Sequence, residues 1–395
     1  MADTSPVRLQ RWFDELAAIG HTDSGWNRVA WTPLEAEARA WFTEVAEGLG
    51  LRVQRDGAGT LWAVTQDADE GPWVCVGSHL DTQPDGGAYD GALGIVCGLE
   101  AAAAVIESGV PRRHPLAVVA FVDEEGARFR VPCFASLAIT GRLDVDRVLE
   151  AMGDAPAIYD VTRESLLAAP QQLSRVRSFM EVHVEQGRAL IDRSQVLGIA
   201  TVLAPRQRWR VEFSGEANHA GTTAMAGRRD ALVAAARFVL AAQREASARQ
   251  GAVATVGRIE VRPGSTNSIP GWAGLSLDAR ALDAATLDGL VDTLRSEARD
   301  ADFTRETRNE GAAFDGDLRA LLHGAADRRG IAAGDLPSYA GHDAGILAPH
   351  VPAAMVFVRN PTGHSHNPQE YAAPEDCAAA AQVLADALEA ELQRT

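Results

Sequence analysis

Apolar residues along this chain fall into two rhythms, and the switch between them predicts the elements. TPLEAEARAWFTEVAEGLG, at 32–50, repeats its apolar positions at helical spacing, with Thr32 as N-cap and Pro33 at the first helical position. WVCVGS at 73–78 is a short apolar run that reads as a buried strand. ALGIVCGLEAAAAVIES at 92–108 reads as a helix, and PLAVVAFV at 115–122 as a second buried strand, ending in Asp123-Glu124-Glu125-Gly126. Apolar strands alternating with helices predict an α/β domain around a mostly parallel central sheet.

From about Arg206 the texture changes. RQRWRVEFSG alternates as a half-buried strand does, and a helix follows over 229–248. The strands ATVGRIEV and GWAGLSLDARA, a helix over 286–299 and the short strand DFTRETR complete a β-α-β-β-α-β order, the ferredoxin-like split arrangement. The buried pattern then resumes with VPAAMVFV and a last helix beginning near Pro374. This predicts a small domain at 206–314 inserted into a larger one formed by 1–205 and 315–395.

Composition narrows the class. With 46% hydrophobic and 23% charged residues, the 395-residue chain can bury a large core. Its formal net charge of −17 offers no basic excess for phosphates, so nucleic acid and anionic membranes are not expected partners. Cys75, Cys97, Cys133 and Cys377 form no C-x-x-C pair and read as buried free thiols. The start lacks an apolar signal core, and the longest apolar stretch, 92–106, is interrupted by Glu100 and too short to span a bilayer. A cytoplasmic protein is expected.

The candidate chemistry lies at the strand ends. His79 closes the first buried strand, and Asp81, two residues on, is placed to receive its second imidazole N–H. Asp90 follows among glycines in GGAYDGALG; Glu124 and Glu125 finish the next strand; His183 ends SFMEVHV; His366 follows VPAAMVFV. A lone histidine at a strand end is ordinarily just a hydrogen-bonded one, and paired glutamates are ordinarily a solvated loop. The coincidence of all of them at one sheet edge, where open α/β sheets bind ligands, makes the case. Three imidazoles and two or three carboxylates there can hold two divalent ions around a shared water. Zinc, manganese, cobalt and nickel all suit such a donor set. Adjacent acids at a strand end project differently, so one can ligate while the other handles protons.

The motifs GSHLDTQPDGGAYDGALG, DEEGARF, EVHVEQG, GEANHAGTT, STNSIPG, LDAR, GHDAG and GHSHNPQE, in this order, resemble the carbamoylase-type amidohydrolases of the M20 metallopeptidase-like superfamily. That branch includes N-carbamoyl-L-amino-acid hydrolases, allantoate amidohydrolases and β-ureidopropionases. The resemblance implies one metal at His79, Asp90 and His183 and another at Asp90, Glu125 and His366, with Asp90 bridging. It implies Glu124 as general base activating a water between the ions, and His219 as a group stabilising the transition state. Gln186 and His342 would contact the substrate, and Asn267 and Arg280 would hold its carboxylate. The inserted domain would be a lid that also mediates a homodimer, His219 reaching the neighbouring subunit's site.

The expected reaction is hydrolysis of the ureido C–N bond of an N-carbamoyl-L-amino acid. The alternatives are an allantoate amidohydrolase, an M20-type aminoacylase or dipeptidase, and a non-catalytic binding protein that keeps the fold. The chain departs from the resemblance at Tyr339, usually a glycine, at His364, usually aliphatic, and at Ala135 and Leu137, which replace a Gly-Ser-Arg/Lys pattern.

Overall fold

The computed structural model describes residues 2–395. The chain clusters into two compact units. One runs to Thr201 and resumes over Ala313–Leu336 and Ala340–Thr395; the other comprises Val202–Ala312 and Pro337–Tyr339.

The first unit is built on a mixed sheet. Its centre is four parallel strands in the order Leu116–Phe121, Trp73–His79, Val176–Val184, Ala353–Val358. On one side Leu61–Val64 and Arg52–Arg55 add antiparallel strands, and on the other Leu197–Leu203 pairs antiparallel with Ala353–Val358. The sheet is therefore less parallel than the sequence predicts. Parallel neighbours need a crossover, which the Ala92–Ser108 helix supplies between Trp73–His79 and Leu116–Phe121. Arg52–Arg55 and Leu61–Val64 are joined by a short loop, which can only return the chain antiparallel. The short apolar runs LWAV and LGIATVL were the available signals for the added strands.

Successive residues of the central strands supply opposite faces. Val74, Val76, Val118, Ala120, Met180, Val182, Ala354 and Val356 join a core beneath the helices Ala92–Ser108 and Pro374–Gln393. Trp73, Cys75, Val119, Phe121, Phe179, Met355 and Phe357 join a second core on the other face. Burial on both faces explains why these strands read as continuous apolar runs. The Pro33–Gly48 helix starts as its sequence suggests, with the Thr32 hydroxyl accepting from the Glu35 N–H. Glu100, buried in the Ala92–Ser108 helix, is neutralised by Arg8, whose Nε lies 2.6 Å from its Oε2. All four cysteines are free and buried. No helix among the described residues is long and apolar enough to cross a membrane.

The second unit has a four-stranded antiparallel sheet ordered Val253–Arg262, Trp272–Arg280, Arg206–Ser214, Ala301–Asn309. The helices Ala231–Ser247 and Ala284–Glu297 cover its apolar face with a core of their own. The second helix starts two residues earlier than the sequence reading because Asp283, not a later residue, caps it, accepting from the Thr286 N–H.

Candidate metal centre and active site

Because the central strands are parallel, their C-terminal ends share one edge, and the chain places its chemistry there. His79 is the last residue of Trp73–His79, paired with Phe121, while His183 pairs with Phe357 near the ends of their strands. Glu124 and Glu125 follow Phe121 through Asp123, which turns the chain with a positive φ of 55°. Asp90 lies just before the Ala92–Ser108 helix, separated from it by Gly91. Gly91 is required there: its φ is +68°, and a Cβ would meet the His79 ring at 2.4 Å.

The side chains form two groups that share Asp90: His79, Asp90 and His183, and Asp90, Glu125 and His366. Asp90 Oδ1 lies 3.0 Å from His183 Nε2 and 3.3 Å from His79 Nε2. The other oxygen, Oδ2, lies 3.5 Å from His366 Nε2, which is 3.4 Å from Glu125 Oε2. His366 is half exposed, whereas His79, Asp90 and His183 are buried. His364 is exposed and belongs to neither group.

The donor set fits two cations. His79 Nδ1 is bonded to the Asp81 carbonyl at 3.0 Å and His183 Nδ1 to the Val184 carbonyl at 2.9 Å, which turns both Nε2 atoms inward as acceptors. Those two Nε2 atoms and Glu125 Oε1 are buried without a hydrogen-bond partner. Buried polar atoms left unpaired are costly, and an ion that takes their lone pairs removes the cost. Asp81 faces His79 Nδ1 with its main-chain carbonyl at 3.0 Å and its carboxylate Oδ1 at 3.6 Å, and its carboxylate oxygens also accept from the main-chain N–H groups of Glu124 and Glu125 at 3.2 and 3.1 Å. Asp81 thus ties the paired acids to the histidine strand.

Glu124 points into the same space, with Oε2 3.7 Å from His79 Nε2 and Oε1 accepting from the Cys133 thiol at 3.4 Å. Burial and the Asp343, Glu125 and Asp90 carboxylates hold its carboxyl well above the ordinary carboxylate range, although His79 opposes them. Burial and Asp90 push Glu125 up to about 8. Burial works against a charged His183, but Asp90 and Glu181 outweigh it and raise the imidazole to about 9. Farther out, burial also raises Asp343 to about 8 and Glu35 to about 7.

A stability prediction follows from these shifts. Each of these groups titrates higher in the folded chain than in the unfolded one. The folded, cation-free protein therefore holds extra protons from about pH 4.5 to about 9, and its stability falls as pH rises through that window. Cation-free protein is expected to melt at a lower temperature at about pH 8 than at about pH 6. Cation-loaded protein is expected to lose the part of this slope that Glu124, Glu125 and His183 carry, because bound ions displace their protons and bind more tightly as pH rises. Melting curves at both pH values check the sign.

Other groups contact the two ligand sets. Gln186 donates through Nε2 to Asp90 Oδ2 at 3.0 Å. His342 is buried with its ring 4.4 Å from that of His183; burial and the nearby His183 keep its pKa well below the usual imidazole value, and its Nε2 is unpartnered. Three buried acids escaped the sequence reading although their motifs are visible. Glu181 accepts from the Ser78 hydroxyl and the Ala344 N–H, Asp343 accepts from the Ser136 hydroxyl, and Glu370 accepts from the Tyr89 and Asp90 N–H groups. Glu181 lies two residues before His183 on the same face of its strand, the one sequence signal that could have singled it out.

The remaining sequence-selected residues belong to the second unit. Asn218–His219 pairs antiparallel with Ser268–Ile269, which brings His219 and Asn267 together on an exposed ribbon. His219 Nδ1 accepts from the Gly221 and Thr222 N–H groups at 3.1 Å each, so a neutral ring carries its proton on Nε2. Arg280 is engaged by Asp278 through Nε at 2.7 Å and Nη2 at 3.2 Å, and by the Tyr339 carbonyl through Nη1. One N–H remains on each terminal nitrogen. The Tyr339 hydroxyl donates to the Gly251 carbonyl at 3.0 Å, so the aromatic ring is anchored within this unit. Ala135 and Leu137 lie on the short Phe134–Ile139 helix beside Cys133.

Residues 75–390 match peptidase family M20/M25/M40. An N-carbamoyl-L-amino acid amidohydrolase of Geobacillus stearothermophilus is 35% identical over 394 residues, covering 95% of this chain and 96% of its own. A ureidoglycolate hydrolase of Oryza sativa subsp. japonica is 30% identical, covering 96% of this chain and 83% of its own. Among solved structures, an amidase of the hydantoinase/carbamoylase family from Burkholderia multivorans superposes with a TM-score of 0.89 at 31% identity, covering 100% of this chain and 99% of its own. With near-complete coverage in sequence and structure, the chain belongs to the M20 family and, within it, to the carbamoylase-type amidohydrolases, which hydrolyse C–N bonds outside peptides.

Proposed function

We propose that this protein hydrolyses the ureido C–N bond of N-carbamoyl-L-amino acids in the cytoplasm, releasing the amino acid, ammonia and carbon dioxide. The observation that carries this reading is the pair of ligand sets sharing Asp90, with the buried carboxyl of Glu124 beside them. Two divalent cations, held by His79, Asp90 and His183 and by Asp90, Glu125 and His366, would acidify a water and polarise the ureido carbonyl. Glu124 takes the proton of the attacking water and returns it to the amino-acid nitrogen, which leaves poorly as an anion. His219 donates from Nε2 to the developing oxyanion. Gln186 and neutral His342 contact the ureido end. The two free N–H groups of Arg280 and the Asn267 amide hold the substrate carboxylate. The 202–312 unit acts as the lid and as the contact through which two copies form a homodimer.

A second reading, another ureido acid such as allantoate or ureidoglycolate, is favoured by the resemblance to the ureidoglycolate hydrolase. Cation-loaded protein should be assayed for ammonia release on N-carbamoyl-L-amino acids, allantoate and ureidoglycolate, and for amine release on N-acetyl amino acids and dipeptides. Preference for an N-carbamoyl-L-amino acid supports the proposal. Preference for allantoate or ureidoglycolate moves it to the second reading, and preference for acyl or peptide bonds overturns both.

Arg280→Lys is expected to raise KM by at least ~10-fold with kcat less affected, since lysine keeps the charge but loses the planar fork. Steady-state kinetics check this, and an unchanged KM would remove Arg280 from carboxylate recognition.

A further inference from the structure

We infer that Glu370 is the positioning residue that aims the Asp90 carboxylate between the two candidate cation positions. This rests on the two-cation reading above. The side chain of Glu370 is buried, and its Oε1 accepts from the main-chain N–H groups of Tyr89 at 3.2 Å and Asp90 at 2.9 Å. A single carboxylate oxygen therefore grips the backbone of the residue that both ligand sets share, from 280 positions away in sequence.

The opposite side of the grip is Gly87. A Cβ there would meet Glu370 Oε1 at 2.3 Å and Glu370 Cβ at 2.6 Å, so the glycine is needed for the acid to come so close. The glycines of GGAYDG thus include one, Gly87, that makes room for a side chain. Glu370 Oε2 is buried without a partner, so the carboxylate is held by the Asp90 loop alone. Buried bonds to backbone N–H groups fix the loop where solvent cannot compete. On the other side, Asp90 Oδ2 is met by Gln186, so backbone and side chain of the shared ligand are each clamped. Glu370 belongs to neither ligand set and acts through the backbone of Asp90.

The consequence is specific. Because Asp90 serves both cations, loosening it should weaken both, by the ~10–100-fold that loss of a ligand-orienting partner costs in metal affinity. Cation-stripped Glu370→Ala, Glu370→Gln and Gly87→Ala proteins should be titrated with zinc and with manganese by calorimetry against a competing chelator. Melting curves of the stripped proteins confirm that each is folded. Glu370→Ala is expected to bind both cations ~10–100-fold more weakly, and Glu370→Gln, whose amide oxygen can still accept the two N–H bonds, less than ~10-fold more weakly. Gly87→Ala, whose Cβ would push the Glu370 side chain away from the Asp90 loop, should reproduce the alanine loss.

Unchanged affinity in folded Glu370→Ala, or a loss confined to one cation, overturns the inference. If Glu370→Ala does not fold, unchanged affinity in Gly87→Ala overturns it instead. Parent protein that takes up no cation overturns the two-cation reading itself, a different result from parent binding without an effect of Glu370.

Discussion

Glu124→Gln is expected to bind both cations and to turn over ~10²–10⁴-fold more slowly than the parent, the usual contribution of a positioned general base. The amide keeps the size of the side chain and one acceptor oxygen, so the contact with the Cys133 thiol survives. What it loses is the ability to take a proton from water and carry it to the leaving nitrogen. The side chain is buried beside His79 and Asp90, so bulk water is poorly placed to substitute. Because the change acts on the chemical step, kcat should fall with KM little changed. Kinetics on an N-carbamoyl-L-amino acid, with elemental analysis of the same sample, check both halves. A near-parental kcat would remove Glu124 from the role of base.

Stripping the cations with a chelator is expected to abolish turnover and to destabilise the fold, and reloading should restore both. The physical ground is the set of buried atoms without a hydrogen-bond partner, His79 Nε2, His183 Nε2 and Glu125 Oε1. A cation at ~100 times its dissociation constant stabilises the folded state by ~2.7 kcal/mol per site. Reloading separately with zinc, manganese, cobalt and nickel ranks the ions, since imidazole and carboxylate donors accept all four. Turnover that survives complete removal would end the two-cation reading.

Three candidate ligands, His79, Glu125 and His183, were legible because each stands near the end of an apolar strand, and apolar runs are the strongest signal in a buried parallel sheet. His366 was harder, lying past the end of Ala353–Val358 in a loop where its φ is +53°. His219, Asn267 and Arg280 could be selected only by resemblance, since an exposed loop histidine, a turn asparagine and a strand-end arginine carry no distinguishing pattern of their own. Asp81 was selected for its neighbourhood: a spacing of two says which residue is near His79, not how Nδ1 is placed between its carbonyl at 3.0 Å and its carboxylate at 3.6 Å.

Periodicity, turn residues and caps determined the helices near 33–48, 92–108 and from Pro374, the buried strands near 73–79, 116–121 and 353–358, and the β-α-β-β-α-β order of the inserted segment, because these depend on neighbours within a few positions. Sequence likewise fixed which residue types stand at the strand ends. Tertiary structure alone decided the pairing of the outer strands, the seating of Tyr339 against Gly251, and the grip of Glu370 on a loop 280 residues away. Those contacts depend on loop closure and on packing between distant segments, and no local pattern encodes which buried acid will face which backbone N–H.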